Sequence, residues 1–292
     1  MKQYFSIGEL LIDYRQDREI SQLDLSSLIN VDVRTVQRWE KDITLIKPDK
    51  EKELAEATLL PYQLIRNLNA SIPIPTFYDF RIRKYSLTRL NNELPDAKWL
   101  KDRVKEMAKR IRTIDVATDM DILRKDLMLQ KNNREPISRS VLSRAVELLP
   151  MMNLIIMDDH SNYSGHCIVL PLKKDVYNKL RDREMVEAEI QATDLGNYKT
   201  MEHPIFFNYD ITADCNDNIY YLAHSYLDFF KNLKQNYEFC SFTMRYDSYE
   251  INRQLGLELV WEDPVQKDGL GLEYHPRFYT GNFDNYFAQF KS

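Results

Sequence analysis

Apolar positions in the first seventy residues recur with the helical period. Ile20 to Asp42 reads Ile-Ser-Gln-Leu-Asp-Leu-Ser-Ser-Leu-Ile-Asn-Val-Asp-Val-Arg-Thr-Val-Gln-Arg-Trp-Glu-Lys-Asp. Ser21 and Asp32 each stand as an N-cap ahead of a helical pattern. Asn30 falls between the two helices, where a left-handed turn residue is needed. Leu25, Leu28, Val31, Val36 and Trp39 share the apolar side and predict a buried seam. Gln22, Val33, Arg34, Gln37, Arg38 and Lys41 fall on the opposite side. Helical patterns continue over Lys50 to Thr58 and from Pro61 to Leu68, until Ile72-Pro-Ile-Pro-Thr, whose two prolines forbid a continuing helix and predict a linker.

Farther on, Leu100, Val104, Met107 and Ile111 form one stripe of an amphipathic helix over Lys98 to Arg112. Such a stripe serves packing within the chain, a contact between two protomers, or phosphate contact through its basic side. Next come a short strand at Ile114 to Ala117, a helix capped by Thr118 or Asp119, and a helix from Ser138 to Leu149. Asn153 to Met157 and His166 to Leu170 flank a polar turn as a hairpin. A helix at Lys173 to Leu180, strands at Val186 to Ala192 and Ile205 to Ala213, and a helix at Tyr220 to Leu233 follow. Strand Phe239 to Arg245, helix Ser248 to Leu255, and strands Leu257 to Trp261 and Leu272 to Tyr279 complete the order.

Charge divides the 292 residues unevenly. Residues 1–70 hold ten Lys/Arg against twelve Asp/Glu, net −2; residues 71–150 hold seventeen against eleven, net +6; residues 151–292 hold thirteen against twenty-two, net −9. The first segment is therefore not basic overall, so any affinity of it for nucleic acid rests on a local cluster and on dimerisation. No apolar run approaches the length of a membrane helix, and the first ten residues lack signal-peptide features, which predicts a cytoplasmic chain with no membrane partner. Cys167, Cys215 and Cys240 are odd in number and widely separated, so they read as reduced thiols.

The Ile20 to Asp42 pattern looks like a helix-turn-helix, and over residues 6–69 it resembles the Cro/phage-repressor (XRE) family, with Ser21-Gln22 ahead of Leu25 and Thr35 ahead of Arg38-Trp39-Glu40. The resemblance implies a DNA-binding domain whose second helix enters the major groove. It implies that Gln22 touches a phosphate, that Val33, Arg34 and Arg38 reach base edges, and that Thr35, Gln37 and Lys41 contact the backbone. It also implies a structural ion pair between Arg15 and Glu40. The family's turn glycine is Asn30 here, and the small residue of its first motif helix is Ser26.

The later order of elements resembles the GNAT acetyltransferase fold over residues 110–280, with Asn252-Arg-Gln-Leu-Gly-Leu-Glu-Leu-Val and Gly165-His-Cys-Ile-Val-Leu-Pro-Leu similar to two of its motifs. That family holds acetyl-CoA on a glycine-rich turn at a helix N-terminus. Here the matching turn, Asp214-Cys-Asn-Asp-Asn-Ile-Tyr-Tyr, has no glycine; Tyr220 and Tyr221 would crowd the phosphates, and Asp214 and Asp217 would repel them. The family's catalytic tyrosine falls on Asn252, which cannot protonate a thiolate. The resemblance thus implies a GNAT-like dimerisation or sensor domain that is not an enzyme.

The other constellations are weaker. Asp158, Asp159, His160 and His166 suit a hairpin turn better than a metal site, and Gly269-Leu-Gly271 reads as a turn. Glu187 and Glu189 read as one solvated face of a strand. The expectation is an all-α helix-turn-helix N-terminal domain over residues 1–69, a linker and amphipathic helix over 70–109, and an α+β domain with a GNAT-like mixed central sheet over 110–292. It is expected to act as a sequence-specific transcriptional regulator, a repressor or autoregulator, binding double-stranded DNA as a homodimer. No catalytic residue, metal or cofactor is expected, and a small molecule or acyl-CoA is the candidate effector. The alternative is an active acyl-CoA-dependent N-acyltransferase fused to a DNA-binding domain.

Overall fold

Ser6 begins the first helix: its side chain accepts from the Glu9 amide, and its hydroxyl donates to Asp42 at 2.7 Å. In the computed structural model, which describes residues 2–87, 110–130, 135–158, 160–267 and 273–289, this helix opens a series of five. They are α1 (Ile7–Asp17), α2 (Gln22–Leu28), α3 (Val33–Glu40), α4 (Pro48–Thr58) and α5 (Tyr62–Leu68). Leu10, Leu11, Leu25, Ile29, Val36, Trp39, Leu54 and Leu64 fill the core between them. Ser21 and Asp32 cap α2 and α3 as the pattern predicts, and Asn30 adopts φ 50°. The seam differs at one position: Leu28 is 50% exposed, and Ile29 is buried in its place. The turn after α2 rotates the chain so that the next residue, not Leu28, meets the core.

A buried carboxylate fastens α4 to α5. Glu51, with no exposed surface, accepts from Arg66 at 2.9 and 3.0 Å and from the Asn69 amide at 2.5 Å. Asn69 also pairs with the backbone of Ile46 in both directions, at 2.9 and 2.8 Å.

Helix α5 stops at Leu68, before the proline pair, and part of the segment marked as linker is sheet. Strands β2 (Thr76–Asp79) and β3 (Lys84–Ser86) join β1 (Lys2–Tyr4) in an antiparallel sheet of order β1-β2-β3. The first unit is therefore not all helix. Asp79 closes the β2–β3 turn by accepting from the Arg81 amide at 3.0 Å. The compact unit comprises residues 1–91 with segments 158–164 and 213–216, and the Tyr85 amide donates to the Asp214 carbonyl at 2.6 Å.

The second unit is α+β, built on a seven-stranded mixed sheet of order β4-β5-β6-β7-β8-β12-β9. Its strands are β4 (Ile111–Thr113), β5 (Leu154–Met157), β6 (Tyr163–Leu172), β7 (Ile205–Ala213), β8 (Glu238–Thr243), β9 (Glu258–Glu262) and β12 (Arg277–Gly281). A small hairpin pairs β10 (Gln266–Lys267) with β11 (Glu273–Tyr274). Helices α6 (Val116–Gln130), α7 (Arg139–Leu148), α8 (Lys174–Arg181), α9 (Asn216–Asn232), α10 (Tyr246–Gln254) and α11 (Asp284–Ala288) accompany it. Strands β7 and β8 run parallel, whereas β12 lies antiparallel to both β8 and β9. One face is filled by aromatics: Phe230 of α9 meets Phe206 at 5.2 Å, Phe239 at 5.7 Å and Phe283 at 5.0 Å between ring centres.

Several expectations in this unit are corrected. The expected strand at Val186 to Ala192 is instead two 3-10 turns, Glu187–Glu189 and Ala192–Asp194. The acidic residues cause this, because Glu189 accepts from the Val186 amide at 2.9 Å and Asp194 from the Gln191 amide at 2.8 Å, closing local turns instead of a ladder. Glu187 and Glu189 are accordingly not one face of a strand. The strand expected at Ile114 lies three residues earlier, so Ile111 and Arg112 are strand and not the end of a helix; the rest of that helix, 98–109, lies outside the described residues, as does Gly269-Leu-Gly271.

The start of α6 also shifts. Asp115 accepts from the Ala117 amide at 3.0 Å, and Asp119, expected as a cap, receives Arg112 at 2.6 and 2.7 Å. Helix α9 starts at Asn216, four residues before the expected Tyr220, because the Asn/Asp run that reads as a turn forms its first turn.

Candidate nucleic-acid interface and a separate cleft

Helix α3 sorts its side chains sharply. Val36 and Trp39 are buried against α1 and α2, while Arg34, Gln37, Arg38 and Lys41 at its end are exposed and Val33 and Thr35 are half-buried. Two guanidinium groups, an amide and an ammonium thus share one accessible surface, a set able to hydrogen-bond base edges and phosphates. Asp32 begins the helix by accepting from the Arg34 amide at 2.8 Å, which fixes where that surface starts.

Beneath this surface runs a chain of hydrogen bonds. Glu40, only 8% exposed, accepts from the Arg15 Nε and Nη2, the latter at 3.0 Å, and from the Gln22 amide at 2.7 Å. Gln22 in turn accepts from Gln37 at 3.2 Å. Hydrogen bonding to Glu40 raises the Arg15 guanidinium further above its ordinary pKa. The link from Arg15 to Gln37 ties α1, α2 and α3 together and pre-positions the half-buried Gln22 amide and the exposed Gln37 amide. Glycine 8 permits the close approach of α1, since a Cβ there would lie 2.7 Å from the Glu40 carbonyl oxygen. Sequence reasoning placed Gln22 and Gln37 separately; their mutual bond depends on how α2 crosses α3, which no local pattern records.

In the second unit, the β7–β8 ladder ends at Asn208 and Ser241, although the strands continue to Ala213 and Thr243. The Asn208 Oδ1 and Asn252 Nδ2 atoms are buried without a hydrogen bond among the described residues. Asn252 itself is 7% exposed. The turn from β7 to α9 carries Asp214, and Asp217 lies in the helix's first turn, so carboxylates stand where the helix dipole would favour an anion. Tyr220 and Tyr221 lie inside α9, not in the turn, and Tyr221 is buried.

The opposite sheet face bears a cleft of about 470 Å³, walled by Phe207, Phe242, Trp261, Phe278 and Leu180, and bordered by the 183–188 loop. Trp261 stacks on Phe278 with ring centres 5.6 Å apart and planes inclined by 13°. The Arg183 guanidinium lies over the Trp261 ring at 4.1 Å and is held by Asp263 at 3.0 Å. Glu135 and Glu187 complete the polar part of the wall. Sequence reasoning missed this cleft, because its walls come from strands and a loop far apart in the chain.

The remaining candidates resolve into structure. Asp158 accepts from the His160 and Asn162 amides, both at 2.8 Å, as a turn former. His166 is buried beside Asp210, with 2.9 Å between Nε2 and Oδ2. Among the described residues no group of three His, Cys, Asp or Glu side chains is placed to hold a metal, and no helix is long and apolar enough to cross a membrane. The three cysteines form no disulfide, and burial pushes the Cys167 and Cys240 thiols up. In comparisons with known proteins, no family model and no curated protein matched the chain.

Proposed function

We propose that this chain is a sequence-specific DNA-binding transcriptional regulator, a repressor or autoregulator of XRE type. The observation that carries this reading is α3: an exposed Arg34, Gln37, Arg38 and Lys41 on a helix whose other side is locked by Trp39 and by the Glu40 clamp. Arg34 and Arg38 read base edges with Val33, while Gln22, Thr35, Gln37 and Lys41 hold phosphates. A homodimer places two copies of α3 in successive major grooves of a palindrome, since one small helix-turn-helix binds weakly alone.

Selection of bound duplexes from a random pool, followed by affinity measurement on the enriched sequence, tests this. Arg38→Ala is expected to cost about 1 to 3 kcal/mol on that site. A pool without enrichment, or unchanged affinity in Arg38→Ala, would overturn the assignment.

For the second unit, the insertion of the last long strand between β8 and β9, together with the parallel β7–β8 pair, supports a GNAT-like fold. The Asn208 Oδ1 and Asn252 Nδ2 atoms, shielded from solvent without a hydrogen bond among the described residues, favour a second reading, in which an acyl-CoA occupies this region. Asp214, Asp217 and the Asn252 amide argue for dimerisation or sensing over acetyl transfer. Calorimetric titration of acetyl-CoA into the full chain separates the cases: binding without turnover supports a sensor, turnover restores the transferase, and no binding leaves a dimerisation unit.

A further inference from the structure

We infer that the cleft of the second unit binds a neutral, largely apolar small molecule. Its volume of about 470 Å³ lies within the range of small-molecule sites, roughly 300 to 1,000 Å³. Register sets Phe242 opposite Phe278 and Phe278 opposite Trp261, so three rings form one row across β8, β12 and β9. Phe278 and Phe207 are buried beneath, whereas Phe242 and Trp261 keep part of their surface open. With Met185 and the 62% exposed Val186, those two rings offer the apolar surface that a ligand can reach. The rim is held in place from the end of α8, which closes in a Schellman motif: the Arg183 amide donates to the Leu180 carbonyl at 3.3 Å and the Glu184 amide to the Lys179 carbonyl at 2.8 Å. The left-handed position of that motif, usually glycine, is Arg183 with φ 65°. From there its guanidinium reaches over Trp261 at 4.1 Å and onto Asp263 at 3.0 Å, fastening the 183–188 loop to the end of β9. An unfavourable backbone conformation is thus kept at the residue that preforms the cleft.

Pairing within the wall selects a ligand without charge. Among the described residues, each charged group of the lining has a partner: Arg183 and Asp263 hold each other, Arg124 holds Glu135 at 3.0 Å from outside the lining, and Glu187 has a partner of its own. The neutral polar groups are engaged as well. Trp261 Nε1 donates to the Arg181 carbonyl at 3.0 Å, and the Gln266 side chain accepts from the Tyr274 hydroxyl at 2.9 Å. An ionic ligand would lose hydration here without meeting a free counter-charge. An apolar one covers Val186, Phe242 and Trp261 and releases the water over them. The inference rests on neither the DNA-binding nor the acyl-CoA reading.

The test titrates the full chain with 1-naphthylmethanol, 1-naphthylmethylammonium and 1-naphthoate, which share a bicyclic ring and differ in charge, followed by calorimetry and saturation-transfer NMR. Saturable one-site binding of the alcohol, with both ions at least about fivefold weaker, is the expected result. Ala188→Phe fills the cleft from its exposed rim and should weaken the alcohol about fivefold or more, with hydrogen exchange in the sheet strands unchanged. Two further variants unmask one charge each. Arg183→Gly keeps the glycine-compatible end of α8 but frees Asp263, and should raise the ammonium-to-alcohol affinity ratio about threefold; Asp263→Asn frees Arg183 and should raise the naphthoate-to-alcohol ratio similarly. Loss of folding cannot move the two ratios in opposite senses. No saturable binding of the alcohol, an ion bound as tightly as the alcohol by the unaltered chain, undiminished binding in Ala188→Phe, or ratios unmoved in both charge variants would each overturn the inference.

Discussion

Replacing Glu40 with alanine removes the acceptor on which three donors of two other helices converge. Arg15 donates through Nε and Nη2 and Gln22 through its amide, and Glu40 is 8% exposed. Removing one member of a buried ion pair costs about 3 to 5 kcal/mol, because the other charge stays behind without compensation. Arg15 retains 18% side-chain exposure and a bond to the Ile20 carbonyl at 3.2 Å, which lowers the expectation to about 2 to 4 kcal/mol. Hydrogen exchange read by mass spectrometry on the intact chain measures this locally. Amides of α1, α2 and α3 should exchange about 30- to 1,000-fold faster, while those of the second unit stay at their original rates. A companion variant, Arg15→Met with Glu40→Leu, should recover part of the loss, since it strands no charge. Acceleration below about threefold in Glu40→Ala would refute the reasoning and reduce the clamp to a surface ion pair.

Other outcomes follow from features elsewhere. Gly8→Ala drives a methyl to 2.7 Å from the Glu40 carbonyl and should cost about 1 to 3 kcal/mol in denaturant melts of the full chain. Phe230→Ala empties the centre of the aromatic cluster and should cost about 3 to 5 kcal/mol, read as faster exchange in α9 and β8. Burial pushes the Asp119 carboxyl up, but hydrogen bonds from Arg112 and the Asp115 amide outweigh it and hold the pKa below the ordinary 3.8. Its contribution is therefore complete above the unfolded pKa and disappears as pH falls through the lower folded value. Acid titration of the β4–α6 amides should show this loss below about pH 4, and Asp119→Asn should abolish that step.

Helices α2 and α3 and the turn between them were legible because their signals act over a few residues: Ser21 and Asp32 bond to amides within their own helices, and Asn30 supplies its turn alone. The Arg15–Glu40 pair came only through the family resemblance, and the bond from Gln22 to Gln37 not at all. Strands β2 and β3 were hidden because they are short and their partner is Lys2–Tyr4, far away in sequence. Alternation at Val186 to Ala192 misled for the opposite reason, since polar side chains that imitate a strand face were reaching back to their own backbone. In the second unit, the succession of strands and helices along the chain was partly readable. The aromatic cleft was not, because it needs Phe207, Phe242, Trp261 and Phe278 to be aligned by register across neighbouring strands.

The first unit draws on residues that lie far beyond its own helices, and this limits how it can be isolated. A fragment ending at residue 91 would contain all five helices of the unit yet lack segments 158–164 and 213–216. The Tyr85 amide would then lose the Asp214 carbonyl, leaving the outer edge of β3 as an open template for another chain. Such a fragment is expected to self-associate through that edge, so its solubility and apparent oligomeric state would report the cut rather than the native protein. During synthesis the same unit stays incomplete until residue 216 has emerged, long after its five helices have been made.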